Sequence, residues 1–492
     1  MNSQPQNARE HDHVNWSTPI ISVAAILFLL WFLTSGVSQL AVAVLLIAAG
    51  GALVLLRPDT AVMATLVYLL FLGDIRRLVS RQAGLAAQDP LLVVGPIVIG
   101  MLFGRLLFER QIKLDSPVAK LVAFLLVFMT FEIVNPLQGG IAVGVAGALY
   151  YIVPLLWFWV GRSMPSERIA RSLIHVVFPI VVGLAAVLGI YQNYHGFLGF
   201  EAQWVREQIA NGFAAMVIDG SVIRAFSFFT SPAEYALFLG IGLVCCAAPL
   251  VVGRLRWVSL LIPLIIWAMI LASVRAAIVL SVVGLLAMGS LMGRSVEQVF
   301  ARAFLAVVLG GGVMYFGLHK LQDLSSVSDR THTLVEHTAE GMLNPGESSA
   351  TGHWSIALNG IEKGVKNPGG EGLGATTMAA SKFGSHGSAG FENDIANMFA
   401  SLGMFGGLLY VVLIVVVLYT TFTLWQEQRS FVALVTLGIL ISQFTYWLEG
   451  GHYALVAICW FLIGSLDRIG ERIPARDPQP VMTRSVRARP AY

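Results

Sequence analysis

Long apolar runs, broken at short intervals by small clusters of charge, set the pattern of this chain. The runs at 18–36, 38–56, 60–74, 90–108, 118–134, 141–161, 172–191, 232–252, 256–272, 275–292, 301–318, 400–424, 430–448 and 451–467 approach the length of a membrane-crossing helix. Such a helix needs about 20 apolar residues to cover a ~30 Å hydrocarbon core. The pattern predicts an all-α polytopic integral membrane protein with about fourteen transmembrane helices, the third of them short. No internal repeat is visible.

The run from Trp257 to Met292 is too long for one span at ~1.5 Å of rise per residue. It must fold back, and its one charge, Arg275 in Ser273-Val274-Arg275, sits at the natural break. Arg275 therefore belongs at a hairpin tip near one membrane face.

The chain divides by polarity. Residues 1–17 form a polar tail without the layout of a cleavable signal, 18–318 hold transmembrane helices, 319–395 form a large polar loop between two late helices, 396–467 return to transmembrane helices, and 468–492 form an arginine-rich tail. Lysine and arginine set the orientation. With both tails cytoplasmic, the inner connections collect Arg57, then Arg105, Arg110, Lys113 and Lys120, then Arg162, Arg168 and Arg171, then Arg254 and Arg256. The outer side receives 192–231, 319–395, Arg275 and the tip Glu449–His452. One outer connection breaks the rule. Arg76, Arg77 and Arg81 there either expose a wrong span count or bind something anionic.

A loop as long as 319–395 is expected to have a function of its own. Trp354, Leu358, Ile361 and Val365 recur in it at helical spacing, and Pro368 ends the run. This predicts an amphipathic helix lying at the interface or capping a cavity. The glycine-rich stretch Asn367–Gly374 is followed by no Walker lysine and hydroxyl residue, which excludes a nucleotide loop.

Composition agrees. Of 492 residues, 57% are hydrophobic and 12% charged, with mean hydropathy +0.76; a soluble domain carries roughly 25% charged residues. The net charge of +3 is too small and scattered for nucleic-acid binding. Cys245, Cys246 and Cys459 all lie in apolar runs, so no disulfide framework or cysteine metal site is expected.

Candidate chemistry gathers on the expected outer face: His195, His319, His332, His337, His353, His386 and His452, with Arg224, Arg275, Arg330, Glu234, Glu392 and Glu449. His332 and His337 have no clear third ligand at zinc spacing, so no metal site is expected. The single histidines need no more explanation than a polar loop. The arginines differ. Arg224 opens Arg224-Ala225-Phe226-Ser227-Phe228-Phe229-Thr230-Ser231-Pro232 at the mouth of one apolar run, and Arg275 lies at the mouth of another. A helix-end arginine also reaches water by snorkelling. Guanidinium groups nonetheless suit bidentate contact with phosphate oxygens, and charge near a membrane is costly. Two of them facing one compartment point to a lipid-phosphate site, to which Arg76, Arg77 and Arg81 would add.

These segments resemble the superfamily of O-antigen ligases and Wzy-type polysaccharide polymerases. Arg224–Pro232 is similar to its R-x-x-G-x-F-x-x-P segment, and Ser273-Val274-Arg275-Ala276-Ala277 to its S-R-G/A-A signature. Trp354-Ser355-Ile356-Ala357-Leu358 with Pro368 and Gly372-Leu373-Gly374 resembles W-x-x-A-L … P-x-x-G-x-G. Glu392-Asn393-Asp394 with Leu402–Gly406 resembles the closing H-N-x-x-L … E-L-G-x-x-G. The likeness covers about 220–425, in order.

The resemblance implies a GT-C-like membrane glycosyltransferase of the bacterial inner membrane, its site facing the periplasm. It would act on an undecaprenyl-diphosphate-linked glycan without metal or other cofactor, alongside polysaccharide assembly proteins. Arg224 and Arg275 take the diphosphate role; Asn393, Trp354 and His353 fall in the acceptor or loop region. At the family's histidine position stands Glu392, so the base is Glu392 or nearby His386, with Glu392 favoured. The implied reaction is polymerisation of repeat units into exopolysaccharide or O-antigen. Ligase-type transfer to lipid A-core or protein is the alternative. A transporter is the reading from another class, but the intramembrane groups that would favour it, Glu132 and His175, lie near helix ends.

Overall fold

The computed structural model describes residues 38–83, 89–164, 167–210, 216–218, 222–293, 295–322, 329–344, 350–384, 390–391, 393–449 and 451–471. The helices are α1 (Gln39–Leu56), α2 (Pro58–Ala83), α3 (Val94–Phe108), α4 (Pro117–Glu132), α5 (Ile141–Ser163), α6 (Arg168–His195) and α7 (Gly199–Ala210). After strands β1 (Val217–Ile218) and β2 (Val222–Ile223) come α8 (Pro232–Val251), α9 (Ile262–Ala272), α10 (Arg275–Ser290) and α11 (Val296–Gln322). The polar loop holds α12 (Asp329–Leu343), α13 (Ala350–Lys366) and α14 (Met378–Phe383), and the chain ends in α15 (Asp394–Gln428), α16 (Phe431–Ser442) and α17 (Tyr453–Glu471).

The protein is an all-α membrane protein apart from the two-residue antiparallel ribbon of β1 and β2. Among the described residues eight helices are long and apolar enough to cross a bilayer. The expected window 18–36 lies outside the described residues, and each later window holds a helix. Several are shorter than the windows drawn on them: the 430–448 run ends its helix at Ser442 and turns through Gln443–Leu448. Local chemistry sets the starts. Ser116, Ser231, Asn393 and Ser430 each accept a backbone N–H of the helix they precede, and proline follows Ser116 and Ser231; such a cap is worth about 1 kcal/mol.

The longest interface in the bundle pairs α5 with α17 in parallel. Tyr150 sits beside Tyr453 and Trp157 beside Phe461. Gly161 and Gly464 allow the approach, because a Cβ on either would strike the Phe461 or Phe158 carbonyl. Beyond this contact, Arg162 is buried and donates to Asp467 at 2.7 Å and Asp115 at 2.5 Å, with Ser116 on Asp467 at 2.6 Å. The parallel pairing gives the bundle two chemically different ends. At the start of α5, Gly147 packs on Leu373 and Gly374 of the polar loop; at its end, Ser163 accepts from Arg468.

The loop helix expected around Trp354–Val365 is α13, which stops two residues short of Pro368. Its glycine face, Gly360 and Gly364, seats on Ala396, Phe391 and Phe399. Trp354, Leu358 and Val365 point outward, with 69%, 48% and 51% of their surface exposed. α15, its partner, bends at Gly403, whose φ of +69° is a conformation glycine reaches without steric cost.

Candidate functional site

Arg224 is held by a strap at the mouth of α8. Its N–H donates to Met216 O across the β1–β2 ribbon at 2.8 Å, and Trp204, Val205, Met216 and Phe226 form a small separate core beneath. Gln192 Oε1 accepts from the N–H groups of Phe226 and Ser227. Arg77 completes the strap: it donates to Asp74 at 2.6 Å, to Ser227 O at 3.1 Å and to Phe229 O, with its guanidinium 4.2 Å over the Phe226 ring and 4.9 Å over Trp204. At Gly73 a Cβ would meet the Phe228 and Phe229 backbone, so the α2 helix lies directly on the strap.

Arg275 starts α10 after a true break. Ser273 adopts a left-handed φ of +51°, Val274 is extended, and α10 begins. α9 follows the Arg254–Arg256 connection at one end of the bundle. α10 leaves toward Leu291, whose carbonyl accepts from Trp425 near the end of α15. The chain therefore folds back at the expected tip. α12 lies across the break. His337 Nδ1 is 2.9 Å from Ser273 Oγ, and Thr338 Oγ1 is within reach of both Ser273 Oγ and Ile270 O. A Cβ at Gly341 would coincide with the Arg275 guanidinium, so only glycine leaves that group its place.

The same helix brings in Arg330, which donates to Ile223 O at 2.7 Å and stands 5.5 Å over the Phe197 ring. Asn193 anchors the start of α12 through Thr331. Arg330 binds the carbonyl just before Arg224, and Gly341 near the other end of the same helix seats Arg275, so one helix ties all three arginines to one end of the bundle, with Arg224 and Arg275 near enough for their charges to interact.

The electrostatics of this cluster favour an anion. Burial lowers the Arg224 pKa, and the nearby charge of Arg275 lowers it further; burial alone lowers that of Arg330. Arginine keeps its proton regardless. The Nε atoms of Arg224 and Arg330 are both buried with no hydrogen-bond partner, and neither side chain forms an ion pair among the described residues. A buried N–H without an acceptor costs about 1–3 kcal/mol, which a ligand oxygen would offset.

The other expected site residues sit differently. Arg76 pairs with Asp89 through Nε, and Arg77 is enclosed in the strap, where Asp74 and the Ser227 and Phe229 carbonyls take up its guanidinium. The side chain of Arg81 lies outside the described residues, as do Glu392 and His386. Asn393 caps α15, accepting from Ala396 N at 2.8 Å. Trp354 and His353 are on α13, which packs on α15 rather than on the elements carrying the arginines. Glu132, at the end of α4, accepts a hydrogen bond from Asn135 at 2.7 Å. His175 stacks on Phe431 and meets Arg256 at the opposite end of the bundle.

Arg330 and His337 stand among the polar candidates of the sequence, but their place with Gly341 on one helix against the strap and the Ser273 break is not evident from composition or resemblance. Their spacing of seven and four residues places them on one helical face, which was the available signal. Compared with known proteins, the chain matches no family model and no curated protein.

Proposed function

We propose that this protein is a lipid-diphosphate-dependent glycosyltransferase that polymerises undecaprenyl-diphosphate-linked repeat units on the periplasmic face of a bacterial inner membrane. The observation that carries the reading is the pair Arg224 and Arg275 at one end of the bundle, with Arg330 bound to the strap beside Arg224, and with the Nε atoms of Arg224 and Arg330 buried and unpartnered. The proposal keeps the fuller architecture of about fourteen spans, with α12–α14 in the periplasmic loop.

In the proposed reaction an acceptor sugar hydroxyl attacks the anomeric carbon of the donor. A C–O bond forms, the bond from that carbon to the diphosphate oxygen breaks, and the diphosphate leaves with the electron pair. Fixed guanidinium groups stabilise the charge that develops on the leaving group, and being pre-placed they need little reorganisation. The hydroxyl proton passes to a base, proposed as Glu392 or His386 of the segment joining α14 to α15. The outward apolar stripe of α13 fits a helix resting on the outer leaflet beside a lipid-borne donor.

Deleting the gene and analysing lipid-linked intermediates tests the reaction. Single repeat units should accumulate, and wild-type but not Arg275→Gln protein should restore long chains. Full chains accumulating on the lipid diphosphate would assign ligation instead. Normal surface glycan in the deletion strain would remove both.

A further inference from the structure

At the end of the bundle opposite the arginine cluster lies a cavity of about 670 Å³. Arg105, Arg110, Lys113, Arg162 and Arg468 line it against two acids, Asp59 and Glu109. Its deeper wall is apolar, formed by Leu102, Leu106, Val160 and Met164. The connection from α3 to α4 at this end carries Arg110 and Lys113, and Arg162 and Arg168 flank the connection from α5 to α6.

The cations fall into two groups. Arg162 and Arg468 are fixed framework: Arg162 is clamped by Asp115 and Asp467, and Arg468 donates to the Arg162 and Ser163 carbonyls. Arg105 is partly engaged, binding Glu109 and the Val54 carbonyl. Arg110 and Lys113 stand at the rim, exposed, and form no ion pair among the described residues. Arg110 also holds a left-handed φ of +52° in the turn that ends α3. That conformation is uncommon for a side chain of its kind.

We infer that this cavity binds a phosphate-bearing anion whose attached apolar portion lies along Leu102, Leu106, Val160 and Met164. An anionic phospholipid of the cytoplasmic leaflet has that chemistry, and so does a free phosphate ester reaching the pocket from solution. A basic rim over an apolar wall at the lysine- and arginine-rich end of a bundle matches phospholipid headgroup recognition. The site is separate from the glycosyl-transfer site, and its test does not depend on activity.

The test uses the full-length protein purified in neutral detergent. Thermal unfolding is followed while dioleoyl-phosphatidylglycerol, dioleoyl-phosphatidylcholine or glycerol 1-phosphate is added. The site predicts stabilisation by phosphatidylglycerol at concentrations where phosphatidylcholine has none. In the Arg110→Gln, Lys113→Gln double variant the apparent affinity should fall roughly 25-fold, about fivefold for each cation near a lipid surface. An Arg254→Gln, Arg256→Gln variant removes two cations from the same end, away from the cavity, and should keep wild-type affinity. Stabilisation by glycerol 1-phosphate as well would support the site and assign a soluble ester as a ligand. Equal response to the two lipids, or equal loss in both double variants, would overturn it.

Discussion

Single side chains in this protein divide into those that build the arginine-bearing end of the bundle and those left available there. Arg77 belongs to the first kind. Its guanidinium joins α2 to carbonyls of the strap about 150 residues later, so removing it strands buried acceptors and opens the packing over Phe226. Arg77→Gln should destabilise the protein by about 3 kcal/mol, the range seen when a buried charged network loses one partner. Denaturant titration in detergent checks this, and unchanged stability would remove the strap. His452 is buried in the turn just before α17, outside the membrane-crossing helix, and burial pushes its pKa down to about 4, below the ordinary histidine value. The unfolded chain therefore binds this proton first. The contribution is fully in place above the unfolded pKa near 6.5 and is lost as pH falls toward 4, by at most about 1.4 kcal/mol per unit. A His452→Gln variant should lose that slope between pH 6.5 and 4 in thermal scans. Gly341→Ala tests the seat of Arg275: the added methyl occupies the guanidinium position, so activity should fall while the unfolding temperature changes little. A full-activity Gly341→Ala protein would separate α12 from the site.

At the scale of elements, α13 makes the clearest claim. It turns two glycines to the protein and an apolar stripe away from it, the reverse of a helix packed on a soluble core. With Trp354 as reporter, brominated phospholipid in reconstituted vesicles should quench its emission, measured as the difference from a Trp354→Phe variant. No difference would mean the stripe faces water or another protein. This helix was legible in the sequence because Trp354, Leu358, Ile361 and Val365 keep helical spacing and Pro368 stops it. The hairpin tip at Arg275 was equally legible, since bilayer thickness limits how far an apolar run can go. The partners of Arg76 and Arg77 were not. Three arginines in one connection read as either a wrong span count or an anion site, because nothing local shows that carbonyls of Ser227 and Phe229 take up Arg77. The β1–β2 ribbon also escaped notice, being two residues per strand and meaningful only as the backing for Arg224.

For the whole molecule, parallel α5 and α17 and the antiparallel return at Ser273 put two kinds of cation at opposite ends. One end carries a half-buried set on separate elements, Arg224, Arg275 and Arg330. The other carries the basic connections and the lined cavity. Charge distributed this way suits a protein that grips an anionic lipid group on the side opposite its basic face. The central claim is that these arginines hold a lipid-borne diphosphate. The most direct measurement is the affinity of the purified full-length protein for undecaprenyl diphosphate, by calorimetry in detergent, for wild type and for the Arg224→Gln and Arg275→Gln variants shown to be folded. The account predicts that each variant binds roughly 100-fold more weakly, about 2.7 kcal/mol for one charged hydrogen-bonded contact. Wild-type affinity in both variants would contradict it.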